Sequence, residues 1–362
     1  GSCVRSLQEQ EGMPPDVGLR VLQQRGGGGD DQVIGLRRVL RRMFGHQLCR
    51  VRSLMPGTVR IGTRGSKLAL WQAEWVKSRL ENLHSGLAVE LTIIKTKGDK
   101  ILDVPLAKVG GKGLFVKEIE AALSAGSIDL AVHSMKDMPA EIPMGLCIGA
   151  VPAREVPVDA LITRDAQTLE TLPRGARIGT SSLRRASQLR RARPDIEIVP
   201  LRGNLDTRLR KLDEGQMEAI VLAAAGVRRL GLEARISQKL DTEIMLPAVG
   251  QGALCIETRD GDTTIAPLVA PLEDAATRIA VTAERAYLHR LEGGCQVPIA
   301  GHATLLDGRL TLCGLVSDLE GQTVIKATQV GRPEEAETIG RELAAHLLER
   351  GARAVLDRLQ TE

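Results

Sequence analysis

The sequence predicts an α/β protein with two similar lobes that face each other across a cleft, followed by a small C-terminal α+β domain. Three observations predict this fold. Strand and helix patterns alternate from Thr58 to about residue 246, which is typical of parallel sheets covered by helices. The turns at residues 62–65 and 179–182 both begin with Gly-Thr and occupy like places in two units. Beyond about residue 274 the order changes to a helix, three strands and a further helix.

Each of the two units starts with a short strand that turns directly into a helix. In the first unit Ser66 is the expected helix cap, and a second helix is expected near residues 115–125. In the second unit the helices are expected to start at Ser181-Ser182 and at Asn204. The expected strands are 59–63, 89–96 and 129–133 in the first unit and 177–180, 196–201 and 219–223 in the second.

The domain boundaries follow from these patterns. Pro247 to Gly252 is interpreted as a segment that crosses back to the first lobe. We expect a disordered extension at 1–57, domain 1 at 58–155 and 247–272, domain 2 at 156–246, and domain 3 at 273–362. Domain 3 is expected to hold a helix that ends at Gly293-Gly294, strands at 301–306, 310–316 and 323–329, and a helix from Pro333 onward.

The leading segment differs from the rest of the chain in charge. Residues 1–57 hold nine arginines and five acids, whereas the remaining residues hold 40 basic and 40 acidic groups. Gly1-Ser2 resembles an expression scar, and the arginines after Gln32 resemble an organelle transit peptide. We favour an extension ahead of a natural start at Met55, and therefore a cytoplasmic protein, with organellar import as the alternative.

Composition excludes several classes of function. Because residues beyond 57 carry no net charge and the chain holds only two Trp, one Tyr and two Phe, nucleic-acid binding is not indicated. No apolar run approaches the roughly 20 residues that a membrane span needs. The six cysteines, at 3, 49, 147, 255, 295 and 313, form no C-x-x-C pair, which indicates a reducing compartment and no metal site of that type.

Basic residues cluster just after strands and at helix starts, where open α/β sheets bind ligands and where helix N-termini attract anions. An arginine fork also matches a carboxylate. The expected ligand is an anion with many carboxylates or phosphates. Gly110 to Gly113 is not a phosphate-binding P-loop, because Gly113 stands where Ser or Thr is needed; a basic lid fits better. The basic residues are Arg64, Lys108, Lys112, Arg184, Arg185, Arg202, Arg208, Arg228 and Arg229.

Two further positions suggest chemistry. Asp137 follows a buried strand, so its carboxylate is expected to face the cleft, where it could stabilise a cation or move protons. A helix-capping role for Asp137 is the alternative. Cys295 follows Gly293-Gly294 on a loop and is a candidate for covalent work, whereas Cys147, Cys255 and Cys313 lie in apolar strands and are expected to be core residues.

Seven collinear motifs resemble those of the porphobilinogen deaminase family, and the resemblance runs from about Val59 to the C-terminus. Residues 1–57 match nothing in that family, and domain 3 is compact as in bacterial members. The motifs are Thr63-Arg64-Gly65-Ser66-Lys67-Leu68-Ala69-Leu70, the loop 108–115, His133-Ser134-Met135-Lys136-Asp137, Gly179-Thr180-Ser181-Ser182-Leu183-Arg184-Arg185, Leu201-Arg202-Gly203-Asn204, Leu246-Pro247-Ala248-Val249-Gly250-Gln251-Gly252 and Glu292-Gly293-Gly294-Cys295-Gln296.

The resemblance implies lobes like those of periplasmic binding proteins and a dipyrromethane cofactor in thioether linkage to Cys295. It implies that four porphobilinogen molecules lose ammonia and join into hydroxymethylbilane. We expect a monomer without a metal site. Asp137 and Lys136 are implied as catalytic, with Lys108 and Lys112 on a mobile lid and Phe115 beside the growing chain. The implied cofactor- and substrate-binding residues are Arg64, Ser66, Lys108, Lys112, Phe115, Ser181, Ser182, Arg184, Arg185, Arg202, Arg208 and Arg229, together with Lys136.

Two other classes of protein share part of this pattern. A binding protein of the periplasmic class would also have two lobes and bind an anion, but it needs a signal peptide and no loop thiol. A cysteine hydrolase would use Cys295 with His133 or His302. Ehrlich's reagent separates the three hypotheses, because only a bound dipyrromethane gives colour.

Overall fold

The computed structural model describes residues 57–100, 113–291 and 297–361. The extension expected at 1–57 therefore lies, except for its last residue, outside the described residues. Within the described part, the strands form three sheets, two of five strands and one of three. No helix in that part is both long and apolar enough to span a bilayer.

The first sheet has the strand order β2-β1-β3-β10-β4. Its parallel strands are β1 (Thr58–Thr63), β2 (Ala88–Ile93) and β3 (Leu130–Ser134). Strand β10 (Leu254–Arg259) lies antiparallel between β3 and β4 (Leu146–Ala150). The helices of this lobe are α1 (Lys67–Leu83), the one-turn α2 (Lys97–Lys100) and α3 (Lys117–Ser124).

Helix α1 begins at the predicted position. Ser66 caps it, since its hydroxyl accepts a hydrogen bond from the Ala69 N–H at 3.3 Å. Its buried face carries Ala73, Val76 and Leu80, which pack on the apolar residues of β1 and β3. This packing fixes the N-terminus of α1 next to the carboxyl end of β1. The first lobe therefore places Ser66 and the preceding Arg64 at the edge of the sheet where ligands bind.

The second sheet repeats this arrangement with the order β7-β6-β8-β5-β9. Strands β6 (Arg177–Gly179), β7 (Glu197–Val199) and β8 (Ala219–Ala223) run parallel, whereas β5 and β9 pair in antiparallel fashion. The remaining elements of the lobe are β5 (Asp159–Thr163), β9 (Gln238–Lys239), α4 (Leu183–Ala192), α5 (Leu205–Asp213) and α6 (Ala224–Arg229).

The third sheet is an antiparallel meander of β11 (Ile299–Leu306), β12 (Arg309–Ser317) and β13 (Val324–Gly331). Tyr287 is fully buried beneath this sheet, and its hydroxyl donates to the Leu315 carbonyl at 3.2 Å. The helices are α7 (Ala266–Val269), before this unit, then α8 (Ala275–Arg290), α9 (Ala336–Leu347) and α10 (Arg353–Thr361).

Glu284, on α8, ties the third unit to the crossing segments between the lobes. Its carboxylate is fully buried and accepts hydrogen bonds from the Arg154 guanidinium at 2.6 Å, the Gly250 N–H at 2.6 Å and the Ala303 N–H at 2.8 Å. A buried carboxylate with this many donors is well satisfied. The sheet orders and this junction confirm the predicted class of two α/β lobes with a small C-terminal α+β domain.

Candidate active site

A pocket lies at the carboxyl ends of β1 and β3, beside the N-terminus of α1. Its polar walls include Arg64, Ser66, Ser134 and Asp137, and the ring of Phe115 forms part of its apolar wall. All five come from the sequence motifs, which lie up to about 70 residues apart in the chain. The parallel strand order brings them together, because β1 and β3 are neighbours that end at the same edge.

Asp137 ends the 3₁₀ turn Met135–Asp137 that follows β3 directly. It is half-buried and lines the pocket. The turn forms because the Met138 N–H donates to the Met135 carbonyl at 3.1 Å, and Pro139 then prevents its continuation. Asp137 therefore lies at the C-terminal end of its turn, so the helix-capping alternative does not describe this position.

Lys136 precedes Asp137 in the same turn. Burial lowers the pKa of Lys136 to about 8, with the neighbouring Asp137 charge opposing that fall and Arg185 adding to it. The influence of Arg185, Asp159 and Arg184 on Lys136 shows that these groups of the second lobe lie within electrostatic range of the Asp137 turn. Charged groups of both lobes therefore lie near one another at this turn.

Arg184 and Arg185 lie in a buried cluster around Asp159. Arg184 Nη1 lies 2.8 Å from Asp159 Oδ2, and Arg185 Nη2 lies 2.7 Å from Asp159 Oδ1. Arg184 also donates to the Leu246 carbonyl at 2.7 Å and Arg185 to the Val221 carbonyl at 3.0 Å. The sequence predicted two cations at a helix start but not their counterion. In the structure the counterion is the fully buried carboxylate of Asp159, which lies between them.

Asp159 is strongly acidic in this cluster. Burial alone would raise its pKa, but the charges of Arg184 and Arg185 hold the pKa of Asp159 at about 2. Burial also lowers the pKa of Arg185 from its usual range. One carboxylate shared between two guanidiniums leaves a net positive charge in this buried cluster.

The other basic residues predicted in the second lobe are half-buried. Arg208 donates through Nε to the Gly203 carbonyl at 2.9 Å, and burial, followed by the Arg185 charge, lowers its pKa to about 10. Arg229 donates to the Gly252 carbonyl at 2.8 Å, and burial lowers its pKa to about 10. The Asp137 charge raises the pKa of Arg208 and so opposes this fall. Asp137 and Arg208 therefore lie within electrostatic range of each other. Arg202 lies in the loop that joins β7 to α5.

Ser181 and Ser182 join β6 to α4 and differ in their contacts. The Ser181 hydroxyl donates to the Leu201 carbonyl at 2.9 Å and accepts from the Leu201 N–H at 3.1 Å. Ser182 occupies the N-cap position of α4 without a side-chain cap bond. Ser181 thus holds the loop before Arg202, while the Ser182 hydroxyl and the first N–H groups of α4 are the better candidates for anion binding.

Three polar residues of the site have no counterpart in the sequence-based prediction. Gln72 is only 2% exposed, lines the pocket and donates through Nε2 to the Ser134 hydroxyl at 3.0 Å. The sequence could have indicated Gln72, because it is a polar residue on the buried, otherwise apolar face of helix α1. Asp99 and Asp159 pair with predicted arginines, and no local pattern in the sequence announces either pairing.

Several predicted residues lie outside the described residues. They are Lys108, Lys112 and Cys295, so the basic lid and the attachment site remain predictions. Within the described part, His133 pairs with the fully buried Glu257, with 3.1 Å between His133 Nε2 and Glu257 Oε2. His302 lies on β11, and burial lowers its pKa. Cys147, Cys255 and Cys313 lie in strands β4, β10 and β12 as predicted, but of the three only Cys255 is a buried core residue, whereas Cys147 and Cys313 are half-buried.

Family models match most of the chain. The model described as "Porphobilinogen deaminase, dipyromethane cofactor binding domain" matches residues 59–267, and "Porphobilinogen deaminase, C-terminal domain" matches residues 278–349. Apart from Thr58, the two regions cover the three sheets. The first includes every basic side chain placed at the cleft.

Curated relatives agree with this match. The porphobilinogen deaminase of Syntrophotalea carbinolica is 59% identical over 298 residues, which are 82% of this chain and 95% of that protein. The porphobilinogen deaminase of Syntrophobacter fumaroxidans is 58% identical over 301 residues, 83% of this chain and 97% of that protein. A solved methionine-binding protein, MetQ, is 18% identical, has a TM-score of 0.40 and covers 60% of this chain and 89% of that one; the fold class rests on the sheet topology instead. By its matched domains and its relatives, the chain belongs to the porphobilinogen deaminase family.

Proposed function

We propose that the pocket beside Asp137 is the active site at which this chain joins four porphobilinogen molecules, with loss of ammonia, into linear hydroxymethylbilane. This reaction is the transferase step in tetrapyrrole biosynthesis that the family carries out on a dipyrromethane cofactor. One observation carries the residue assignment: Asp137 and Arg64, from separate motifs, line the same pocket at the edge of the first sheet.

The charged groups of the cleft fit a dipyrromethane. Each pyrrole brings an acetate and a propionate, and buried or half-buried guanidiniums are the groups that bind such carboxylates best. Arg184, Arg185 and Arg208 supply them from the second lobe, and Lys136 supplies an ammonium from the first. When linked to Cys295, the dipyrromethane supplies the carbon nucleophile to which the substrate units are added.

Substrate acids are assigned to the walls of the cleft. Arg64 and Ser66 lie at the pocket in the first lobe. Arg229, from the second lobe, lies near Trp71 of helix α1, with 5.9 Å between the Arg229 guanidinium carbon and the ring centroid. Phe115 gives the same pocket an apolar surface for a pyrrole ring. The remaining binding residues of the proposal are Lys108, Lys112, Ser181, Ser182 and Arg202.

Asp137 is assigned the stabilisation of positive charge. Loss of ammonia from porphobilinogen leaves an electron-poor methylene-pyrrole whose nitrogen carries developing positive charge. A carboxylate fixed in a partly dehydrated pocket stabilises such a charge more than water does. The same carboxylate can accept and return a proton, because it lies at the pocket surface.

Lys136 is assigned two tasks that follow from its environment. With a pKa of about 8 set by burial, it is mostly cationic at neutral pH and can bind a carboxylate. The same pKa lets it hold or release a proton near neutral pH. Its position next to Asp137 keeps the local charge of the turn balanced.

The cellular and structural setting belongs to the proposal as well. We assign the chain to the cytoplasm as a monomer without a nucleic-acid or membrane partner. The division into domain 1 (58–155 and 247–272), domain 2 (156–246) and domain 3 (273–362) is supported by the sheets, because each described sheet lies within one of these domains.

Intact mass spectrometry tests the proposed function. The purified protein should exceed its sequence mass by two porphobilinogen units less two ammonias, and it should give colour with Ehrlich's reagent. Cys295→Ser should lose both signals, whereas Cys147→Ser is the matched control and should keep them. An unmodified wild-type protein with full deaminase activity would contradict the proposal.

A further inference from the structure

Arg64 is held in place by two different partners. Its Nη2 lies 2.5 Å and its Nε 3.2 Å from Asp99 Oδ1. One face of the guanidinium lies against Phe115, with 4.1 Å between the guanidinium carbon and the ring centroid. A planar cation that is bound along one edge and stacked on one face has little rotational freedom left.

Asp99 is itself fixed. Its Oδ2 accepts the Thr96 hydroxyl at 2.8 Å and the Thr96 N–H at 3.3 Å. Burial alone would raise the pKa of Asp99, but the hydrogen bonds from Arg64 and Thr96 hold that pKa below its usual value. Asp99 is therefore a carboxylate at neutral pH, and its orientation is set before any ligand arrives.

Phe115 is tied to the same frame. The Gly98 N–H donates to the Leu114 carbonyl at 3.0 Å, and a Cβ atom added to Gly98 would lie 2.2 Å from Phe115 Cε1. Any residue with a Cβ atom at position 98 would therefore push the Phe115 ring out of place. The α2 turn that carries Asp99 and the ring that supports Arg64 therefore pack as one unit.

A guanidinium has two edges that can each bind a carboxylate with two N–H groups. Asp99 occupies the Nε–Nη2 edge of Arg64. The Nη1–Nη2 edge is the one that a second carboxylate can use without displacing Asp99. Arg64 can thus bind the protein's own carboxylate and a ligand's at once.

We propose that Asp99 is a positioning residue for porphobilinogen: it holds Arg64 on the Phe115 ring so that the second edge of the guanidinium receives a substrate carboxylate. This inference rests on the proposed function, in which Arg64 binds a substrate acid. The contact between Arg64 and such an acid is made in the ground state and the transition state alike. Loss of Asp99 should therefore change KM rather than kcat.

The experiment compares Asp99→Asn with wild type in steady-state kinetics and intact mass. Asp99→Asn is nearly isosteric, and the pair it breaks is about a quarter exposed on each side, so the fold should survive. We expect KM for porphobilinogen to rise about tenfold, as for the loss of one charge-assisted hydrogen bond, with kcat within about twofold. The cofactor mass should remain.

Two controls separate positioning from a general effect of losing an ion pair. Asp195→Asn breaks an Arg193–Asp195 pair of similar exposure and 2.8 Å length away from the cleft, and KM should not change. In an Arg64→Ala background, Asp99→Asn should have no further effect on KM, because the two residues act as one unit.

The outcomes are distinguishable. Asp99→Asn with a wild-type KM, or with the same rise in KM in the Arg64→Ala background, would overturn the positioning role. A fall in kcat at unchanged KM would overturn it as well. A wild-type protein without the cofactor mass would contradict the proposed function itself. That result is independent of the KM of Asp99→Asn, which tests only the positioning role.

Discussion

Asp159→Asn should destabilise the fold strongly, because it removes the charge at the centre of the buried cluster with Arg184 and Arg185. Asp159 is fully buried and binds Arg184 at 2.8 Å, Arg185 at 2.7 Å and Gln251 Nε2 at 3.2 Å. Asparagine keeps the shape and one acceptor oxygen but removes the charge that two buried guanidiniums share. Removing one partner from a buried ion pair typically costs about 3–5 kcal/mol of unfolding free energy.

The expected cost lies near the lower end of that range, because carbonyl acceptors at Leu246 and Val221 remain for the two arginines. A loss of about 3 kcal/mol corresponds to a fall in melting temperature of roughly 4 °C for a chain of 362 residues. Thermal unfolding of wild type and Asp159→Asn, followed by circular dichroism at pH 7, measures this difference. Equal melting temperatures would refute the idea that Asp159 neutralises Arg184 and Arg185.

The same pair of proteins gives a pH test with a defined sign. The folded-state pKa of Asp159 is about 2, below the ~4 of an unfolded aspartate. The stabilisation by Asp159 is therefore fully present above about pH 5 and is lost as the pH falls toward 2. The stability difference between wild type and Asp159→Asn should shrink over that interval. A difference that grew on acidification would contradict this assignment.

A chain that begins at Met55 should keep its activity and melting temperature, because the composition of residues 1–54 is unsuited to a core; a loss of several degrees in melting would show that they pack on the body. Since burial sets the pKa of Lys136 at about 8, KM for porphobilinogen should rise as the pH passes through 8. Lys136→Arg should flatten that rise, and an unchanged KM profile would count against the role of Lys136. Arg184→Lys should hinder cofactor assembly, because an ammonium cannot reproduce the guanidinium fork; full cofactor mass in this variant would remove Arg184 from the proposed cofactor-binding set.

Local sequence signals predicted the starts of elements well. Ser66 and Asn204 both act as helix caps, and Asn204 accepts the Thr207 N–H at 2.9 Å. These signals depend on residues three apart in the chain, so they can be seen without the fold. The sequence patterns did not give the bounds of strands β4, β5 and β10. These strands pair with partners that are distant in the chain or belong to crossing segments.

The candidate site was predicted residue by residue, but its internal pairing was not. The motifs identified Arg64, Arg184 and Arg185, yet their carboxylate partners Asp99 and Asp159 lie 35 and 25 residues away along the chain. Such pairs form only when helices and strands pack, and single-sequence patterns do not carry that information. The sequence therefore indicated where positive charge collects, and the structure shows how much of it is already neutralised.

The turnover number of cofactor-loaded Asp137→Ala tests the central claim most directly. Because Asp137 faces a charge that develops during the reaction, its loss should lower kcat by about 10²–10³, while intact mass still shows the cofactor and the melting temperature stays near that of wild type. Asp137→Glu keeps the charge and should retain some activity. An Asp137→Ala protein that carries the cofactor and turns over at the wild-type rate would contradict the assignment of this pocket as the active site.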